Sequence, residues 1–223
     1  MHDIVLQARE EINILLSTLT SGTHIRTIDI RRLSSKLFRS LDNKDINNVF
    51  LICKEFLDQH NWEMGVIAFD WAYKVRGQYN ENTYDIFYTW LEKYVRGWGD
   101  CDDFCTHAFS ELLVQNKQLF SHVLQWTRHS DFWVRRASAV ILIPMILHDN
   151  YDGINPLQIA DALIMDEHDL VRKGYGWMLK SLSTKEPDTV YNYLLEHKST
   201  MPRVAFRYAL EKMDKDKRDK LME

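Results

Sequence analysis

Glycine and proline are scarce in this chain, with eight of one and four of the other in 223 residues. Hairpins and β-sandwiches rely on those residues to punctuate their turns, so the composition argues against a sheet protein. Cysteine is scarcer still. Cys53, Cys101 and Cys105 are too few, and odd in number, for a disulfide framework. Cys101 and Cys105 lie four apart with no further pair of ligands nearby, so no metal site is expected. No apolar run approaches the ~20 residues that cross a bilayer. The amino-terminal MHDIVLQAREEINILL carries acids where a secretion signal is basic, and it lacks a small-residue cleavage site. These absences point to a soluble, cytoplasmic protein with no membrane partner, and a monomer without a cofactor is the expectation. An excess of basic charge is missing too. The net charge of −4 argues against a wholly basic nucleic-acid binder but not against a local basic patch, because steering depends on where charges sit.

What the chain does have is helix. It is 45% hydrophobic and 27% charged, and apolar residues recur three and four apart almost throughout. The first 25 residues hold one helix and a polar stretch, residues 17–27. Helices are then expected over 30–41 and 45–57, joined by the turn Asp42-Asn43-Lys44. Next come 62–75 after an Asn61 cap, and 81–94 after the turn 77–80. Further helices are expected over 100–113, 119–128, 132–147, 156–165, 170–182, 187–196 and 203–213, and a charged tail, 214–223, should fray.

A weak repeat runs through this series. Asp131-Phe-Trp-Val-Arg-Arg-Ala and His168-Asp-Leu-Val-Arg-Lys-Gly have the same pattern, with Arg135 and Arg172 separated by 37 residues. Fainter echoes begin at Asn61 and Met201. A period of roughly 35–45 residues with two helices per unit is the mark of HEAT-type repeats. The expected fold is therefore all-α, a curved α-solenoid of stacked antiparallel helix pairs forming one domain over 1–223.

Three clusters are candidates for chemistry. Trp98-Gly-Asp-Cys-Asp-Asp103-Phe places three carboxylates at a helix start, where the helix dipole and backbone N–H groups favour them with no further function. Phe132-Trp133-Val-Arg135-Arg136 carries two arginines pointing ~100° apart, and inter-repeat ion pairing is the ordinary use of such residues. Leu170-Val-Arg172-Lys173-Gly174-Tyr-Gly176-Trp177 puts two glycines in one helix at ~1 kcal/mol each relative to alanine. That expense implies a close approach by another helix or by a phosphate backbone. A tryptophan at helical spacing, such as Trp177, is most often core.

In this order the three clusters resemble the DNA alkylation repair family, the AlkD-like HEAT-repeat DNA glycosylases. That family has a Trp-rich segment ending in Asp, then Trp-x-x-Arg, then Arg-Lys-x-x-Gly-Trp. The matching positions are Trp98 and Asp103, Trp133 and Arg136, and Arg172, Lys173, Gly176 and Trp177. The resemblance spans about 30–213. It implies excision of cationic N3- or N7-alkylpurines from double-stranded DNA, with Asp103 catalytic and Trp98, Arg136, Arg172, Lys173 and Trp177 binding DNA. It departs at Gly99, where the family has a second tryptophan lining the lesion site. Gly99→Trp would then restore a missing aromatic wall. Two other functions remain open: a HEAT-like module that binds branched or distorted DNA without excision, and a protein-binding solenoid.

Overall fold

The computed structural model describes residues 2–19 and 24–223, so residues 20–23 of the polar stretch lie outside the described residues. All regular structure among the described residues is helical, as the low glycine and proline content implied. None of these helices is long and apolar enough to cross a membrane. The chain divides into two compact units, residues 1–108 and 109–223.

The first unit contains α1 (Asp3–Ser17), α2 (Thr27–Ser40), α3 (Ile46–Leu57), α4 (Trp62–Lys74), α5 (Thr83–Tyr94) and α6 (Trp98–Phe104). Asp45 and Asn61 cap α3 and α4, their side chains accepting from the N–H groups of Asn47 and Met64 at 2.9 Å. Helix α4 is apolar nearly all round and packs against α1, α2, α3 and α6, as a helix without a polar face must. Its Trp71 is fully buried edge-on to Phe38 and Phe56, and the indole N–H donates to the Ser34 carbonyl. Phe69 of α4 stacks on Phe104 of α6 with ring centroids 4.4 Å apart, and Phe87 of α5 meets Phe104 edge-on. A buried phenylalanine of this kind contributes about 3–5 kcal/mol relative to alanine. Phe104 thereby anchors α6, and with it the adjacent Asp103.

The helix expected over 100–113 is present but is not uniformly an α-helix. After Phe104 the backbone widens into a π turn, Cys105–Phe109. The i→i+5 bonding re-aims the residues that follow, which a 3.6-residue period cannot anticipate.

The second unit holds α7 (Ser110–Gln115), α8 (Phe120–Trp126), α9 (Phe132–Val140), α10 (Ile143–Leu147), α11 (Leu157–Leu163), α12 (Asp169–Ser183), α13 (Pro187–His197), α14 (Arg203–Leu210) and α15 (Lys215–Met222). Two expectations are corrected here. The helix expected over 132–147 is broken at Ile141–Leu142, because Pro144 has no N–H to continue the ladder but fits the first turn of α10. The tail 214–223 is not frayed. Asp214 caps α15 by accepting from the Lys217 N–H, Leu221 is 1% exposed, and Lys217 pairs with Asp188 of α13.

Helix α12 is the hub of this unit and packs against α9, α10, α11, α13 and α14. A β-carbon on Gly176 would lie 2.8 Å from the Tyr208 β-carbon and 2.9 Å from the Ala205 carbonyl oxygen. The glycine is what allows α14 to approach this closely. The 37-residue repeat is visible in the caps as well: Asp131 and His168 each accept from the N–H two residues on, at 2.8 and 3.2 Å.

Candidate functional site

The acidic segment at the start of α6 borders a cavity of about 570 Å³ in the first unit, a size typical of ligand sites. Trp98, in the first turn of α6, stands at its edge with 66% of its surface exposed. Gly99, Asp100 and Asp103 follow along the same wall, Trp62 of α4 faces them, and Thr106 and His107 extend the lining through the π turn.

The carboxylates divide the labour that the sequence left undivided. Asp100 fits the plain reading of an acidic helix start, because its side chain turns back and accepts from the Arg96 N–H at 3.3 Å. Burial raises its pKa, the N–H groups of Arg96 and Gly97 oppose the rise, and the negative charge of Asp103 adds to it. Asp103 looks elsewhere. It forms an ion pair with Arg31 of α2, and its carboxylate lies 3.6 Å from Nδ1 of His107. His107 donates from Nδ1 to the Asp103 carbonyl at 2.8 Å, leaving Nε2 to accept from the Arg31 guanidinium at 3.3 Å. Burial pushes the Asp103 carboxyl above the ordinary range, while the positive charge of Arg31 pulls it back. The Arg31 Nε–H is buried with no partner among the described residues. A smaller cavity, about 220 Å³, also borders Asp103, together with Arg31, Asp70 and Tyr73.

Gly99 corrects one expectation. The space a side chain there would need is taken: an ideal β-carbon would sit 3.2 Å from Nε1 and 3.7 Å from Cδ1 of Trp62. A tryptophan at position 99 would have to displace an indole already present, so Gly99→Trp is not a simple restoration.

Arg136, Arg172, Lys173 and Trp177 all lie on α9 and α12 of the second unit, which pack side by side. Arg136 is 5% exposed, donates from Nη1 to the Leu170 carbonyl at 2.6 Å, and lies against Gly174, whose missing β-carbon would be 3.2 Å from its Cγ. Arg172 donates from Nε to the Asp166 carbonyl at 2.6 Å. Arg135 pairs with the carboxylate of the same Asp166, also at 2.6 Å, and so ties α9 to the loop that precedes α12. Lys173 is partly exposed and bridges to Asp169 at 2.6 Å. Trp177 is half-buried, and Trp133 is buried.

Sequence reasoning missed Arg31, Trp62 and His107. Arg31 and Trp62 reach the site from helices remote in the chain, and His107 reaches it through a π turn. Arg31 and Arg32 lie in a helix that carries many other polar residues, so nothing local singled Arg31 out.

Helix in all regular structure among the described residues, with an acidic and aromatic cavity in one unit and a cation-bearing helix pair in the other, defines an all-α protein. The chain belongs to the DNA alkylation repair enzyme family, whose family model matches residues 23–213. Membership places it in DNA repair, with DNA as its partner. A solved structure described as "Predicted DNA alkylation repair enzyme from Enterococcus faecalis" is 14% identical with a TM-score of 0.68, covering 93% of this chain and 94% of that one. At that identity the likeness concerns the fold. No curated protein matches.

Proposed function

We propose that this chain is a monofunctional DNA glycosylase that removes cationic N3- and N7-alkylpurines from duplex DNA. The observation that carries the reading is Asp103, a carboxylate held by Arg31 at the wall of a cavity edged by Trp98 and Trp62. An alkylated purine is a good leaving group, because the electrons of the breaking C1′–N bond neutralise its charge. Positive charge then grows on the sugar, and a fixed carboxylate stabilises it where water is scarce. Water adds to C1′ and gives up a proton, which a carboxylate of raised pKa is suited to accept. This chemistry requires no cofactor. On α9 and α12, Lys173 and Trp177 offer a cation and a ring to the DNA. Arg172 and Arg136 are the further DNA-binding cations of that pair, and a guanidinium with five donors can serve a carbonyl and a phosphate together. The helix pairs are read as HEAT-like repeats of one domain, supported by the matching caps of Asp131 and His168 and by the way Arg135 and Arg172 both engage Asp166.

One observation favours a second reading. The Arg31 pairing neutralises the charge of Asp103, as suits a module that binds distorted DNA without cutting the glycosidic bond. Base release decides between the two. Wild type should liberate 7-methylguanine or 3-methyladenine from methylated duplex DNA under single-turnover conditions, leaving an abasic site. Asp103→Asn should slow release about 10²-fold with DNA affinity unchanged. Release no faster than the spontaneous rate would leave binding alone.

A further inference from the structure

Trp62 opens α4 immediately after its Asn61 cap, a place where a tryptophan ordinarily serves only to pack. Here the ring borders the 570 Å³ cavity, and its indole N–H makes no hydrogen bond among the described residues. The edge bearing that N–H lies over Gly99, which has no side chain to cover it. Trp98, Asp100 and Asp103 line the same cavity. An electron-rich indole in a cavity that acidic residues also line is complementary to a flat, positively charged ring, because the ring quadrupole and negative charge attract the same ligand. A neutral purine gains stacking alone.

We propose that Trp62 is the specificity-determining aromatic wall of this cavity, selecting a cationic alkylated purine over its neutral parent. Gly99 is the complementary half of the device, left bare so that the indole can occupy its place. This inference rests on the cavity being the lesion site of the proposed glycosylase.

Two readouts separate the inference from that reading. The probes are a duplex oligonucleotide containing one 7-methylguanine and the same duplex with guanine. Fluorescence anisotropy gives the ratio of affinities, and chromatography gives base release. Trp62→Ala should lower the affinity ratio about tenfold, weaken binding of the unmodified duplex by far less than that of the methylated one, and slow release by at least the same factor. Trp62→Phe, which keeps a ring, should retain most of the ratio. Gly99→Val, which forces the indole aside without removing it, should also lower the ratio, and should add nothing in a Trp62→Ala background. That non-additivity is an effect a merely destabilised fold would not give. If wild type prefers the methylated duplex but releases no base, and Trp62→Ala abolishes the preference, the glycosylase reading fails and the inference stands. A ratio unaltered in Trp62→Ala overturns it, as does a wild type that discriminates in neither assay, or Gly99→Val and Trp62→Ala effects that simply add.

Discussion

At Asp103 burial and charge pull in opposite directions. Desolvation raises its pKa, and the Arg31 charge lowers it by less, so the carboxyl titrates above the ordinary aspartate value of about 3.9. The sign follows directly. In the proposed chemistry base release needs the carboxylate, so activity should fall with decreasing pH at a point above that value. Arg31→Met removes the largest opposing influence, and the acid limb should move to still higher pH. The stability effect runs in the same sense. A raised carboxyl pKa means that ionising Asp103 disfavours the folded state, and this loss sets in as pH rises from the unfolded towards the folded pKa. Without Arg31 the loss is larger, so Arg31→Met should lower Tm more at pH 7 than near pH 4. A pH–rate profile and melting curves at the two pH values check both statements, and a limb that moves to lower pH would refute this account of the pair. None of this was legible locally, because Arg31 and Asp103 are 72 residues apart and no helical period couples them. The acid cluster itself was legible, but its division into a backbone-capping Asp100 and an ion-paired Asp103 was not.

Elements were read most accurately where a side chain marks their start. Asp45, Asn61 and Asp131 all cap the helices their positions implied. Errors arose where the signal was a missing backbone group or a distant contact: Pro144 divides one expected helix, and Leu221 orders a tail too polar to look structured. The glycines of α12 illustrate how packing outweighs propensity. Gly176→Ala gains ~1 kcal/mol of helix propensity, yet its methyl would meet backbone atoms of Ala205 that cannot rotate away. Overpacking of that kind costs about 1–3 kcal/mol, so the variant should be destabilised overall. Gly174→Ala meets mainly the Arg136 side chain, which has rotamers to use, and should be milder. Urea denaturation of the two variants checks the order. Equal stabilities, or a more stable Gly176→Ala, would show that α14 is free to shift.

For the molecule as a whole, family membership makes DNA the partner although the net charge is −4. Attraction to phosphate must then come from local cations, and binding should weaken steeply with salt as counterions are released. Lys173→Ala should reduce affinity by a similar factor for any duplex sequence and lessen the dependence of log K on log salt by about one. Anisotropy at several salt concentrations tests this, and an affinity that ignores both salt and the substitution would point to a protein partner. At this scale the sequence disclosed the helical class and a 37-residue periodicity, because both are written in local pattern. The cavity was invisible to it, since its walls come from helices that no repeat relates. Burial of the three cysteines has a chemical consequence for a protein of this family. Methylating electrophiles attack sulfur as readily as they attack purines, and they do so through the thiolate. Burial holds the Cys53 thiol well above its ordinary pKa, and Cys101 and Cys105 are wholly enclosed. Such reagents reach these sulfurs only when the fold opens, so the same exposure that creates the lesion leaves the thiols of the repair protein intact.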